Sequence, residues 1–329
     1  MLPAAGAPLL GLYRTLAERG PLTSEGLAAA TDTAERYVRE WLSSQVAGGY
    51  VSYDPDGERF FLTEEQAAVV ADDDSPYCVI GAFESAVAGL KVRDRVEEAF
   101  RTGEGVAWHD QDSGLFHATE RLFRTNYQAN LTDSWIPALD GVEETLRRGA
   151  AVADVGCGHG ASTVILAQRY PESRFLGYDF HEPSIEVARQ RAAEAGVADR
   201  VRFDVATAKD FDGGPYDLVA TFDCLHNLGD PAGAAAHIRK TLAENGAWLI
   251  VEPYAEDRLE DNQTPLARAF YSVSTIVCTP CSLDQEVGRA LGAQAGEGRI
   301  REVVVEEGGF RTFRRAAETP FNLVFEARP

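Results

Sequence analysis

The sequence predicts an α/β protein in which a parallel sheet flanked by helices follows a smaller, α-rich unit. Three observations carry that prediction. From Ala151 onward, short apolar runs alternate with helical stretches in the order β-α-β-α, which implies parallel strands covered by helices on both faces. The first of these runs, "AVADV", opens into a turn holding Gly156, Gly158 and Gly160 and then a helix. Residues 1–75, by contrast, read as helices followed by a hairpin. A chain of 329 residues is long for a single core, so two domains are expected.

Composition narrows the class. The hydrophobic fraction of 45% and charged fraction of 25% are those of soluble globular proteins, and no apolar run approaches the roughly 20 residues that span a bilayer. Met1–Leu12 is apolar but lacks a basic flank and a small-residue cleavage site, so a cytoplasmic protein is expected rather than an exported one. Against 52 acidic residues stand 31 basic ones, a net charge of −21 that repels phosphate backbones and makes nucleic acid a poor partner. The five cysteines, Cys78, Cys157, Cys224, Cys278 and Cys281, are odd in number and scattered, as for reduced thiols. Cys278 and Cys281 form a C-x-x-C pair, but no second pair or histidine cluster completes a zinc set, so no metal site is expected.

In chain order, helices are expected from Leu9 onward, with Thr23 or Ser24 capping one and Thr31–Thr33 offering a cap to the next, whose Tyr37, Val38, Trp41 and Leu42 recur at helical spacing. "GGYVSYDPDGERFFLT" then alternates as a hairpin with Asp56 and Gly57 at the turn. The unit resembles a winged helix. Its five arginines, no lysine and thirteen acidic residues leave it at −8, the wrong sign for DNA. Asp72–Asp74 and Pro76 mark its edge, giving a domain at 1–75, a helical linker and lid at 76–149, and an α/β domain at 150–329.

The glycine turn lets a ligand approach bare backbone at the carboxyl end of the first strand, where open α/β sheets bind nucleotides. Its spacing is G-x-G-x-G, with Asp154 preceding it on the strand. The second strand, "RFLGYD", ends in Asp179, where a carboxylate can accept both ribose hydroxyls, and Phe180 follows, placed to pack on adenine or in the core. The third strand, "VRFDV", leads to Thr207 and Ala208; the fourth, "YDLVATFD", ends at Asp223 ahead of "CLHNLGDP"; the fifth, "AWLIVEPY", ends at Glu252. A helix and strand in 301–319 and a terminal strand, "FNLVFEA", complete seven strands.

These motifs are similar to those of class I S-adenosylmethionine-dependent methyltransferases, and the arrangement with an N-terminal winged helix resembles an actinobacterial type acting on small molecules. The resemblance implies a Rossmann-like seven-stranded sheet, S-adenosyl-L-methionine as cofactor, and a winged-helix domain that serves dimerisation and closes one side of the substrate pocket. It implies cofactor contacts from Asp154, Gly156, Gly158, Gly160, Asp179, Phe180, Thr207, Ala208 and Asp223, with Thr207 standing where the family usually has an acidic residue for the adenine amino group. It also implies that His226 is the general base for the acceptor, a role its ordinary pKa near 6.5 suits; packing beside the methionine portion is the alternative. Tyr127 and Trp135 occupy the family's lid position or else the core, and an insert at about 255–298, carrying Tyr271, Thr275, Cys278 and Cys281, completes the substrate wall. Three other readings remain at this stage: the cofactor fold repurposed for non-methylating chemistry, a cofactor-sensing winged-helix regulator, and NAD-linked oxidoreduction, which the glycine spacing disfavours.

Overall fold

A computed structural model of the chain describes residues 10–329; Met1–Leu9, which hold most of the apolar start, lie outside the described residues. The chain divides into two compact units, one of residues up to Leu90 with Ser113–Ala129, the other of Lys91–Asp112 with Asn130–Pro329. The helical stretch after residue 76 is thus shared between them.

In the first unit, helices Leu12–Arg19, Ser24–Ala30 and Glu35–Ala47 precede a hairpin of β1 (Ser52–Asp54) and β2 (Arg59–Phe61). Leu22 bridges Phe60 through two backbone bonds of 3.0 and 2.8 Å and so tethers the wing to the helices. Thr23 caps the second helix by accepting the Gly26 N–H at 3.1 Å. The cap expected from Thr31–Thr33 is not formed: Ala34 stands at the N-cap of Glu35–Ala47, and the Thr31 hydroxyl donates back to the Leu27 carbonyl at 2.9 Å. That back-bond ties Thr31 to the preceding helix, and its oxygen is taken by the Thr33 hydroxyl at 2.8 Å rather than by an N–H of the next helix. Leu12, Leu16, Leu27, Val38, Leu42, Val51 and Val70 form the core. Within the same unit Gly81 allows helices Ile80–Lys91 and Ser113–Asn130 to meet, since a Cβ there would lie 2.6 Å from the Ala118 carbonyl oxygen.

The second unit holds a seven-stranded sheet: β3 (Ala151–Val155), β4 (Arg174–Asp179), β5 (Val201–Val205), β6 (Tyr216–Phe222), β7 (Leu242–Pro253), β8 (Thr312–Glu318) and β9 (Asn322–Arg328), in spatial order β5-β4-β3-β6-β7-β9-β8. The first five pair in parallel; β9 runs antiparallel to β7 and β8 antiparallel to β9. Strands buried on both faces explain the near-continuous apolar runs, and β7 is buried from Gly246 to Pro253. No helix intervenes between β5 and β6, because "DGGP" at 212–215 lacks helix formers and ends in a proline. Trp248, Phe310, Phe313 and Phe325 pack one face of the sheet, with the Trp248 indole N–H donating to the Thr221 hydroxyl at 3.1 Å. Strand order reverses between β3 and β6, and the crevice at the carboxyl ends of such a reversal is where open α/β sheets place ligands.

Candidate active site

The turn after β3 is built from three glycines with different duties. The Gly156 and Cys157 N–H groups donate to the Tyr178 carbonyl at 2.7 and 3.0 Å, folding the turn onto β4. At Gly156 (φ 75°) a Cβ would lie 2.2 Å from the Cys224 sulfur, and at Gly160 (φ 75°) 2.7 Å from the Phe203 ring, so both positions exclude a side chain by packing. Gly158 (φ 52°) has nothing within 4 Å of where a Cβ would stand, and leaves open backbone on the crevice.

Two carboxylates frame that turn. Asp154, fully enclosed at the end of β3, accepts the Ser162 and Thr163 hydroxyls on Oδ2 at 2.6 Å each, while Oδ1 is buried without a hydrogen-bond partner. Burial outweighs the two hydroxyl bonds and pushes its pKa up to about 6. Asp179, at the end of β4, accepts the Gly158 N–H at 2.9 Å on one oxygen and the His181 N–H at 2.8 Å on the other; burial raises its pKa despite these bonds. Phe180 beside it is 44% exposed. After β5, Thr207 is exposed and donates its hydroxyl to Asp210 at 2.6 Å, with Ala208 half-buried against the sheet core. The Thr207 hydroxyl proton is therefore committed to Asp210, which leaves its oxygen as an acceptor.

The end of β6 leads into a buried polar turn. Asp223, held at φ 49°, accepts the Asn322 amide at 2.9 Å, and the following turn Leu225–Asn227 buries His226. The His226 Nδ1 lies 2.6 Å from Glu252 Oε2, and Glu252 Oε1 accepts the Leu225 N–H at 2.9 Å. The carboxylate thus fixes both the ring and the turn that bears it. Burial pulls the imidazole pKa down, but the Glu252 carboxylate and Cys278, which hydrogen-bonds the ring, act in the other direction and leave it well above the ordinary value. Sequence reasoning read Glu252 only as a strand end; the signal was an acidic residue closing the buried run "WLIV".

Cys278 opens helix Cys278–Asp284 and is buried beside His226, and Tyr271 is 37% exposed on helix Pro265–Ile276. Trp135 is fully enclosed, its ring stacked on Phe222 at 6.5 Å. Tyr127 belongs to the other unit, where it stacks on Phe123. Among the described residues no group of three or more His, Cys, Asp or Glu side chains is placed to hold a metal. A depression of about 340 Å³ lies at the opposite, amino end of the strands, lined by Asp140, Val142, Asp217, Asn245 and Arg328; it contains none of the groups above, so the site is assigned to the carboxyl edge.

The residues fit an adenosyl-methionine ligand: open backbone at Gly158, a partnerless buried carboxylate oxygen on Asp154 suited to an N–H donor, and an exposed aromatic ring next to Asp179. Comparison with known proteins agrees. Residues 146–307 match the methyltransferase domain family, and residues 9–72 match the Rv2258c-like winged HTH domain. A 27-O-demethylrifamycin SV methyltransferase of Amycolatopsis mediterranei is 30% identical over 125 residues, 37% of this chain and 40% of that protein. The chain covers half or less of the length of the curated relatives it matches. Among solved structures, a putative O-methyltransferase of Nostoc punctiforme superposes with a TM-score of 0.74 at 20% identity, over 100% of this chain and 94% of that one. An O-methyltransferase of neocarzinostatin biosynthesis, solved with S-adenosyl-L-homocysteine and 1,4-dihydroxy-2-naphthoic acid, gives 0.66 at 17% identity, over 99% and 95%. The α/β unit has the class I S-adenosylmethionine-dependent methyltransferase fold and matches a methyltransferase domain family over residues 146–307, with a winged helix-turn-helix domain match ahead of it.

Proposed function

We propose that the protein is an S-adenosylmethionine-dependent methyltransferase that methylates a hydroxyl group of a small acceptor of secondary metabolism, with His226 as general base. The observation that carries this reading is the buried His226–Glu252 pair, 2.6 Å apart, at the same carboxyl edge as the glycine turn. When bound, the cofactor supplies an electrophilic methyl group on a sulfonium. The chain's part is alignment, exclusion of water and removal of the acceptor proton. Gly158, Asp154, Asp179 and Phe180 would hold the cofactor, with Thr207, Ala208 and Asp223 at the rim of its site. The imidazole takes the acceptor proton on Nε2 while Glu252, facing Nδ1, stabilises the cation formed. Cys278 and Tyr271 stand on the acceptor side, with Trp135 contributed by the helical segment before β3. The winged-helix unit dimerises two copies and serves no nucleic acid, in keeping with its charge of −8. We place the enzyme in the cytoplasm; among the described residues no helix is long and apolar enough to cross a membrane.

The test is transfer of labelled methyl from S-adenosylmethionine to a panel of hydroxylated aromatic and polyketide-like acceptors, with thiol and amine analogues alongside. Label recovered on an oxygen, and lost with His226→Asn, is the expected result; transfer to nitrogen or sulfur only, or undiminished transfer by the variant, would contradict it.

A further inference from the structure

The turn that carries His226 is held from one side by Glu252 and from the other by residues 282–289. Residues 227–229, which link that turn to helix Pro231–Thr241, offer three consecutive backbone carbonyls, and each is captured by the segment 282–289. The Gln285 Nε2 donates to Asn227 O at 2.8 Å, the Ser282 hydroxyl to Leu228 O at 2.7 Å, and the Arg289 N–H to Gly229 O at 2.8 Å. The Gly229 N–H in turn donates to Gln285 Oε1 at 3.0 Å. Gln285 also donates to its own helix, at Cys281 O, 2.9 Å, and Ser282 accepts the Ala290 N–H at 2.9 Å. The approach is close: a Cβ on Gly229 would fall 2.4 Å from the Gln285 Cβ.

A short connection with no regular structure, here the three residues between the turn and helix Pro231–Thr241, ordinarily satisfies its carbonyls with water and frays. Here one carboxamide reads an N–H and a C=O of the same loop at once, its acceptor and donor sitting side by side on one rigid group, which fixes the loop in both translation and rotation. We infer that Gln285 is a positioning residue, whose side chain, aided by Ser282, holds the His226 ring in register with Glu252. The functional consequence rests on His226 being the base; the geometric claim does not.

The experiment is an NMR titration of the His226 ring, assigned by its absence in His226→Asn, in the wild type, Gln285→Met, Gln285→Glu and Leu283→Ala, together with calorimetric binding of S-adenosylhomocysteine. Met keeps the length of Gln285 without its bonds, and Glu keeps an acceptor for Gly229 while setting oxygen against two carbonyls. Leu283, exposed on the same helix, is the control. The ring midpoint is expected to fall by about half a unit or more in both Gln285 variants, a roughly threefold loss of proton affinity as the Glu252 contact loosens, and to stay put in Leu283→Ala. Affinity for S-adenosylhomocysteine should remain within about twofold of wild type. Wild-type titration in both Gln285 variants would overturn the inference. Should Gln285→Met fail to fold, Ser282→Ala decides: a smaller fall of the midpoint supports the clasp, and no change refutes it. A wild type that binds no S-adenosylhomocysteine would instead sink the methyltransferase reading and leave this titration to judge the clasp independently.

Discussion

The two units of the chain bury different things. In the winged-helix unit no Asp, Glu or His is buried among the described residues; its buried polar groups are neutral, as in the Tyr13 hydroxyl donating to Gln45 at 2.6 Å. Its charges pair at the surface, exposed as in Arg36 with Glu40, or half-buried as in Arg121 with Glu84. In the α/β unit, Asp154, His159, Asp179, His181, Asp223, His226 and Glu252 are all buried, and all lie at or just beyond the carboxyl ends of β3, β4, β6 and β7. Burying ionisable groups costs several kcal/mol apiece unless they are paired or given a ligand, so a fold that gathers seven on one edge is organised around something other than its own stability. One unit is built to pack; the other carries a strained edge on a well-packed sheet.

Substitutions in the two units should separate on that line. The largest effect is expected from His226→Asn, which removes the base and should lower methyl transfer by about 10²- to 10⁴-fold while binding of S-adenosylhomocysteine changes by less than about threefold. Loss of binding together with turnover would show that the histidine packs against the cofactor instead. Next comes Gly156→Ala, where the new methyl would meet the Cys224 sulfur; cofactor affinity should fall by at least about 100-fold. Gly158→Ala, with open space and only an unfavourable φ, should cost about 1 kcal/mol, and comparable losses at both positions would refute the division of duties among these glycines.

A pH profile sharpens the same contrast. His226 must be neutral to accept a proton, and its pKa is raised by Glu252, so turnover should climb as pH rises from the ordinary histidine range upward. Glu252→Gln removes the charge that favours the imidazolium, so the climb should move to lower pH while the plateau drops by about tenfold. A profile unmoved by that change would deny the coupling. The smallest effect is expected in the other unit: Tyr13→Phe leaves the buried Gln45 oxygen without its donor and should cost about 1–2 kcal/mol in thermal or urea unfolding, with cofactor affinity untouched.

How far the sequence reaches depends on the kind of signal. The winged-helix unit, the seven strands and the glycine turn were legible because local periodicity and turn chemistry determine them. The strand-end positions of Asp154, Asp179 and Asp223 were legible, because strand ends are readable and their residue type is unusual there. Glu252 as the partner of His226 was not, since the pairing depends on the register between β6 and β7, which places residues 26 apart side by side. The cap at Thr31–Thr33 failed for a local reason: the Thr31 hydroxyl donates to the earlier helix and pairs with the Thr33 hydroxyl instead of a backbone N–H of the next helix. The Gln285 clasp was also out of reach, because nothing in a polar loop residue announces which distant carbonyls it meets. Periodicity finds elements; it does not find the contacts that tertiary structure creates between loops.

The most direct test of the account is calorimetric titration of the protein with S-adenosylmethionine and S-adenosylhomocysteine, set beside Asp179→Ala and NAD. Micromolar binding of both ligands, weakened by at least about tenfold in Asp179→Ala, with no heat from NAD, is the predicted result. Binding that survives Asp179→Ala unchanged, or a preference for NAD, would contradict the placement of the cofactor at the carboxyl edge of the sheet.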